Sequence, residues 1–472
     1  MTTSTSVRRT TVELPSTVQL DAWTGEAAAR GELADDAKNW GAKRGLPASR
    51  QALPFGPPAD PTDWAHEDVG YGVLLLDDDT VDAKDKAAGA DAPAPVRNLL
   101  AKRPGTVLLR WSRNLKDLWV RRYYPDGTFQ DVLIGLTKFG VAPGNRLPRY
   151  VLIVAPPDQI PWSVQYSLAA VHAVGRLPFT GDALGPYLDA MLGGWAGSTV
   201  DVQSPLIWTV DHGPRDITRL MRASITAPLD AAFTGTLTGL RHLQDKQATA
   251  DNLLTECART DKPPALVVTS SHGSTPIGDH DLLAASLGLP VDVGHQVTGL
   301  DDLATAMPAG CVWFAQACCS AGGAGRTHYE GLLKPGTSAH TVVTEVAGLG
   351  PMVSPAALAL LGRAEPVRAV LGHVEPTFNW TLRSDDTGQS LGGTLVVALS
   401  SNLHHGQPLG YAFAQYRAGV GQLYAQWAAR RDLLEKGDTS LLELMTRLRL
   451  TAVDRQSLVL LGDPTVTLPP LA

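Results

Sequence analysis

His272 and Cys318 combine the residue types and settings that nucleophilic catalysis requires. Each follows an apolar run of buried-strand length: PALVVTSS (264–271) leads straight into His272-Gly273, and CVWFAQA (311–317) into Cys318-Cys319-Ser320-Ala321-Gly322-Gly323. In open α/β sheets the carboxyl ends of parallel strands gather reactive groups, because loops converge there while the strands hold them rigid. A thiol is only a few per cent ionised at neutral pH, so an imidazole is needed to take its proton. Gly273 permits close backbone approach, and amides of the Gly322-Gly323 turn are candidate oxyanion donors.

The elements that must position this pair begin near residue 149, where apolar runs alternate with helical stretches in the pattern of a parallel sheet covered on both faces. Predicted strands are 149–155, 204–211, 264–271, 311–317, 367–374 and 457–463, with helices at 248–259 and 410–434. Upstream, 61–148 reads as a small β-rich accessory region with strands at 71–77, 106–111, 117–124 and 130–136. Within it, the Asp/Ala/Pro-rich stretch that follows residue 77 reads as a mobile loop. Residues 1–60, lacking a sustained period, read as an arm.

Composition sets the outer limits. A chain of 472 residues exceeds what one small module needs, and no apolar run approaches the roughly 20 residues of a membrane span. Forty basic against 47 acidic residues, without a basic block, lack the footprint of a nucleic-acid binder. The N-terminus shows no apolar stretch after its arginines, so a cytoplasmic location is expected. Four cysteines, at 257, 311, 318 and 319, form no C-x-x-C pair; reduced thiols and no metal site are expected.

A buried strand ending in His-Gly, followed 46 residues later by one ending in Gln-Ala-Cys, resembles the caspase-like (clan CD) cysteine peptidases, whose His precedes Q-A-C by about 50 residues. Residues 317–322, ACCSAG, are similar to the A-C-x-[ST]-[AG] pattern of the bacterial CHAT and gingipain-related (C25-like) branch. VLIVAPPDQIPWSVQY (151–166) and LLGDPTV (460–466) resemble recurring segments of the same branch. The resemblance spans 149–472, the expected peptidase domain.

What the resemblance implies is a caspase-like three-layer α/β sandwich with a mostly parallel, roughly six-stranded sheet, preceded by the smaller β-rich region. It implies His272 as the imidazole that activates the thiol and Cys318 as nucleophile, with Cys319 as its rival. The backbone N–H groups of Gly273 and Cys318 become the oxyanion donors, and Gln316 a pocket residue. Asp158, in the loop after the first strand of the domain, is a candidate pocket acid that would suit Arg or Lys before the cut; bracing of its proline-rich loop competes with that role. The implied activity is a cofactor-free cysteine endopeptidase acting on a protein or peptide substrate, in a bacterial defence or cell-death setting, with residues 1–148 open to an activating partner. An inactive caspase-like scaffold and another thiol acyl-transfer enzyme are the alternatives.

Overall fold

The computed structural model describes residues 14–37, 40, 59–135, 137–383 and 388–471. The strands, in chain order, are β1 (Thr17–Trp23), β2 (Ala28–Glu32), β3 (Tyr71–Leu76), β4 (Val107–Trp111), β5 (Trp119–Tyr123), β6 (Phe129–Leu133), β7 (Lys138–Phe139), β8 (Arg146–Leu147), β9 (Tyr150–Val154) and β10 (Ala173–Leu177). They continue as β11 (Leu206–Thr209), β12 (Arg241–Gln244), β13 (Leu266–Ser270), β14 (His272–Ser274), β15 (Pro290–Val291), β16 (Val312–Gln316), β17 (Gly322–Ala324), β18 (Pro351–Val353), β19 (Ala369–His373) and β20 (Leu458–Gly462).

Twelve of these form one sheet, in the order β12-β11-β13-β16-β19-β20-β10-β9-β3-β4-β5-β6. This is twice the expected strand number: β3 to β6 of the 61–148 region continue the sheet outward from β9 rather than forming one of their own, and β10 and β12 add two strands within 149–472. The protein is therefore mixed α/β with a large, mostly parallel sheet and helices packed on it. β4, β9, β10, β11, β13, β16, β19 and β20 are buried at every position, which is why most of them read as near-continuous apolar runs rather than alternating ones; β4 and β10 each include a buried arginine.

The sheet changes direction at its middle. β12, β11, β13, β16 and β19 run parallel to one another, β20 pairs antiparallel with β19, and β10, β9, β3 and β4 follow the direction of β20. Carboxyl ends of the two halves consequently open on opposite edges.

Two segments differ from expectation. The stretch after residue 77 holds helices Ala83–Ala88 and Ala94–Lys102, the first capped by the Asp82 side chain on the Lys84 amide and closed by Gly89 in the left-handed region. Buried Lys86 pairs with Asp77 at 2.8 Å, and this contact orders a stretch whose composition alone reads as loop. Within 1–60, β1 and β2 form a four-stranded sheet with β14 and β15, in the order β15-β14-β1-β2. Residues 1–13, 38–39 and 41–58 of that arm lie outside the described residues.

Where the halves meet, β10 and β20 approach so closely that a Cβ on Gly175 would lie 2.1 Å from the Gly462 carbonyl oxygen. Gly175→Ala must displace backbone rather than a side-chain tip, and it is expected to cost at least about 2 kcal/mol, read from the denaturant midpoint.

Candidate functional site

β13 and β16 are adjacent and parallel with Ser270 opposite Gln316, so His272 and Cys318, two residues further on, leave the sheet from one edge. At Ser271 the chain turns out of the large sheet into β14. There a Cβ on Gly273 would stand 2.1 Å from the carbonyl oxygen of Cys318, so the two backbones touch and only glycine fits. The side chains of His272 and Cys318 are both fully buried.

His272 Nε2 lies 3.0 Å from each carboxylate oxygen of Asp216. Asp216 is the N-cap of the helix Ile217–Met221, where it also accepts from the amide and hydroxyl of Thr218 at 2.9 and 2.6 Å. Gln19 Nε2 donates to its other oxygen at 3.3 Å. Burial raises its pKa, but the hydrogen bond and charge of His272, with the Thr218 bonds, outweigh that and hold the carboxyl well below the usual range. An ionised carboxylate only accepts, so Nε2 carries a ring proton whatever the charge of the ring, and Nδ1 is the nitrogen that bears the lone pair in the neutral form. Nδ1 is buried and has no hydrogen-bond partner.

Among the described residues no hydrogen bond joins His272 to the Cys318 thiol. That thiol instead donates to Cys319 Sγ at 3.2 Å, and burial followed by this bond pushes its pKa well above the ordinary value. Cys318 is thus a neutral thiol in this conformation and needs a base to ionise. Cys319, also fully buried, has a positive φ of 54°, a rare conformation for a residue with a Cβ, at the turn that ends the strand.

β1 lies across this strand end. It pairs in parallel with β14, Ala22 opposite Gly273 and Trp23 opposite Ser274, and antiparallel at Leu20 with Phe378. The Asp21 carbonyl oxygen accepts from the Cys318 amide at 3.4 Å, and Trp23 O accepts from the Thr275 amide at 2.7 Å. Two residues back in the same evenly spaced ladder, the Gly273 amide is aimed at Asp21 O. Both expected oxyanion donors therefore converge on one carbonyl oxygen.

The Asp21 side chain is fully buried, and its Oδ1 accepts from the Thr377 amide at 2.8 Å. Gln316, buried at the end of β16, reaches the Thr377 hydroxyl at 3.5 Å. Asp454, from the helix Leu442–Gln456, completes this buried polar cluster: its carboxyl is pushed up to about 7, chiefly by burial, against hydrogen bonds from Thr381, Thr377 and the Phe378 backbone. Asp158 lies elsewhere. It is exposed and follows β9, whose carboxyl end opens on the edge opposite to that of β16, and Arg176 is a charge that feels it. Only Trp162, four residues later, reaches toward the site, through Nε1 to Gly323 O at 2.9 Å.

Asp216 was missed by sequence reasoning, although the D-I-T start of a short helix is a capping signal; nothing local says that the capping carboxylate also faces a histidine 56 residues away. His212, Asp216 and His272 each place one ligand atom within 4.8 Å of the others, the single such group among the described residues, yet His272, Thr218 and Gln19 already satisfy the carboxylate. His212 stacks between His295, at 4.2 Å, and His272, at 5.5 Å, with its Nε2 bonded to Asp292 O. Beside them an open cleft of about 620 Å³ is lined by Trp23, Arg30, His212, Arg215 and Asp216. No helix of the described residues is long and apolar enough to cross a membrane. No family model, curated protein or solved structure matches this chain.

Asp454 supplies a pH test. Its folded pKa of about 7 lies above the unfolded value near 3.9, so the folded state holds more protons. The stability this contributes is complete below about pH 4 and is lost as pH rises to about 7, by roughly 4 kcal/mol at 1.36 kcal/mol per unit. Asp454→Asn is expected to flatten that part of the profile, checked by urea denaturation of both proteins from pH 4 to 8.

Proposed function

We propose that the protein is a caspase-like cysteine endopeptidase that cuts a protein partner, in the bacterial defence or cell-death setting its sequence resemblance implies. The observation that carries this is the convergence of the Gly273 and Cys318 amides on a single peptide carbonyl oxygen, with His272, the residue before Gly273, fixed through Nε2 by the Asp216 carboxylate. Support also comes from the half-sheet β12-β11-β13-β16-β19-β20, with five parallel strands and a last antiparallel one, in keeping with a six-stranded caspase-like core.

The chemistry follows from these positions. His272 Nδ1 takes the Cys318 proton, and the thiolate attacks the scissile carbonyl carbon. The resulting oxyanion is held by the two amides, while Asp216 stabilises the imidazolium and keeps Nε2 protonated so that Nδ1 is the base. The imidazolium protonates the leaving amine, and water, deprotonated by the same nitrogen, resolves the thioester.

Because β1 covers the thiol, turnover of fluorogenic peptides is to be measured on the native chain and on a Leu20→Asp variant that lifts the strand. In whichever form is active, Cys318→Ala and His272→Ala are expected to abolish cleavage, Asp216→Asn to lower kcat at least about a hundredfold, and Cys319→Ala to keep much of the activity. Absence of turnover in both forms, across a panel varied at the residue before the cut, overturns the proposal.

A further inference from the structure

Packing explains the apolar face of the arm's first strand, but not the carboxyl that the strand buries between those residues. β1 is flanked by β14 on one side and β2 on the other, and it meets Phe378 through Leu20, so both its edges are engaged at the mouth of the catalytic edge. Its alternate residues Val18, Leu20 and Ala22 face a core, while Asp21, between them, turns a carboxyl into a fully buried polar pocket. A strand anchored only for packing would place an apolar residue there, since burying a carboxyl without full hydrogen bonding is costly. Among the described residues Asp21 Oδ2 has no hydrogen-bond partner.

Its backbone is arranged as that of a bound peptide would be. The carbonyl of Asp21 sits where the two amides converge, Leu20 pairs antiparallel with Phe378, and Trp23 continues toward the open cleft beside Asp216. On that mapping the residue whose carbonyl would be attacked is Asp21, and its side chain lies in the pocket that the residue before the cut would use. That pocket has three named walls. Thr377 donates its amide to Oδ1, Gln316 holds the Thr377 hydroxyl, and Asp454 adds a second carboxyl.

We propose, building on the peptidase function above, that β1 occupies the enzyme's own substrate cleft, and that the pocket of Gln316, Thr377 and Asp454 selects a short, uncharged, hydrogen-bonding side chain before the cut, asparagine first. The neighbouring carboxyl of Asp454 disfavours an anion. An amide of the same shape as Asp21 keeps the Thr377 bond, cannot become an anion beside Asp454 and offers N–H donors to that carboxyl, whose Oδ1 is also without a partner among the described residues. Asp21 is then a deliberately imperfect occupant, able to hold the cleft and able to leave it.

The test reads exposure of the thiol, which does not depend on catalysis. Iodoacetamide is added to the native chain, to Leu20→Asp, and to a chain carrying a site-specific protease sequence in place of the exposed turn Gly25–Ala27, cut before labelling. Labelling is located at Cys318 by fragment-ion sequencing, and near-UV circular dichroism checks that each protein is folded. The expected result is slow labelling of the native chain and at least tenfold faster labelling of either altered form. A synthetic peptide of residues 17–23 should restore protection, the same peptide with Asp21→Asn should protect at about tenfold lower concentration, and the one with Asp21→Lys should not protect.

Native-rate labelling of both folded altered forms, absence of protection by the peptide, or equal protection by all three peptides overturns the proposal. So does full peptidase turnover by the native chain with Cys318 still unlabelled. Fast labelling with peptide protection but no cleavage of any substrate upholds the occupancy and overturns the peptidase function instead, so the two fail separately.

Discussion

Gly273 and Cys318 meet backbone to backbone, with no room for a single carbon between them, and the arrangement of the site descends from that contact. It brings the amide of one strand end to within reach of the amide of the next, so that both can address one oxygen. It also forces the chain out of the large sheet at Ser271, which frees β14 to accept β1 as a new neighbour. The histidine side chain, carried on that diverted strand, is then turned toward Asp216 at the start of a helix from a different part of the fold. One missing Cβ thus links the electrostatics of the imidazole to the placement of the amides and to the cover that lies over them.

Burial dominates the electrostatics here. Both thiols are raised, and Asp454 and Asp21 are raised with them, each chiefly by loss of water. Asp216 alone among these buried acids is lowered, and the difference is its partners: an imidazole, a threonine amide and a threonine hydroxyl all stabilise the ionised form. A cluster containing one committed anion and several neutral acids has a defined polarity. The N–H at His272 Nε2 is donated to Asp216, and the side of the ring facing away from that carboxylate is the basic side.

The adjacency of His272 and Cys318 was legible in the sequence because each follows an apolar run long enough to be a buried strand, and the ten predicted strands across 71–463 all appear at their expected places within a few residues. β10 and β12 were not legible: β10 carries Arg176, whose charge is bonded internally to Gln165, Ala155 O and Pro161 O, and β12 is the polar edge strand RHLQ. Asp216, Thr377 and Asp454 were illegible for a related reason, since their roles exist only once elements far apart in the chain are folded together. Asp158 shows the opposite failure. Its sequence neighbourhood suggested a pocket, but the antiparallel pairing of β19 with β20 reverses the sheet and sends the loop after β9 to the other edge.

That β1 comes first in the chain has a consequence in time. Its partners, at residues 272–274 and at Phe378, are synthesised some 250 to 360 residues after it. By the moment the strand ends bearing His272 and Cys318 come together, the segment that covers them has already been made and is joined to them through the chain. The covering strand is therefore the older part of the contact, and its closing over His272 and Cys318 is an intramolecular step.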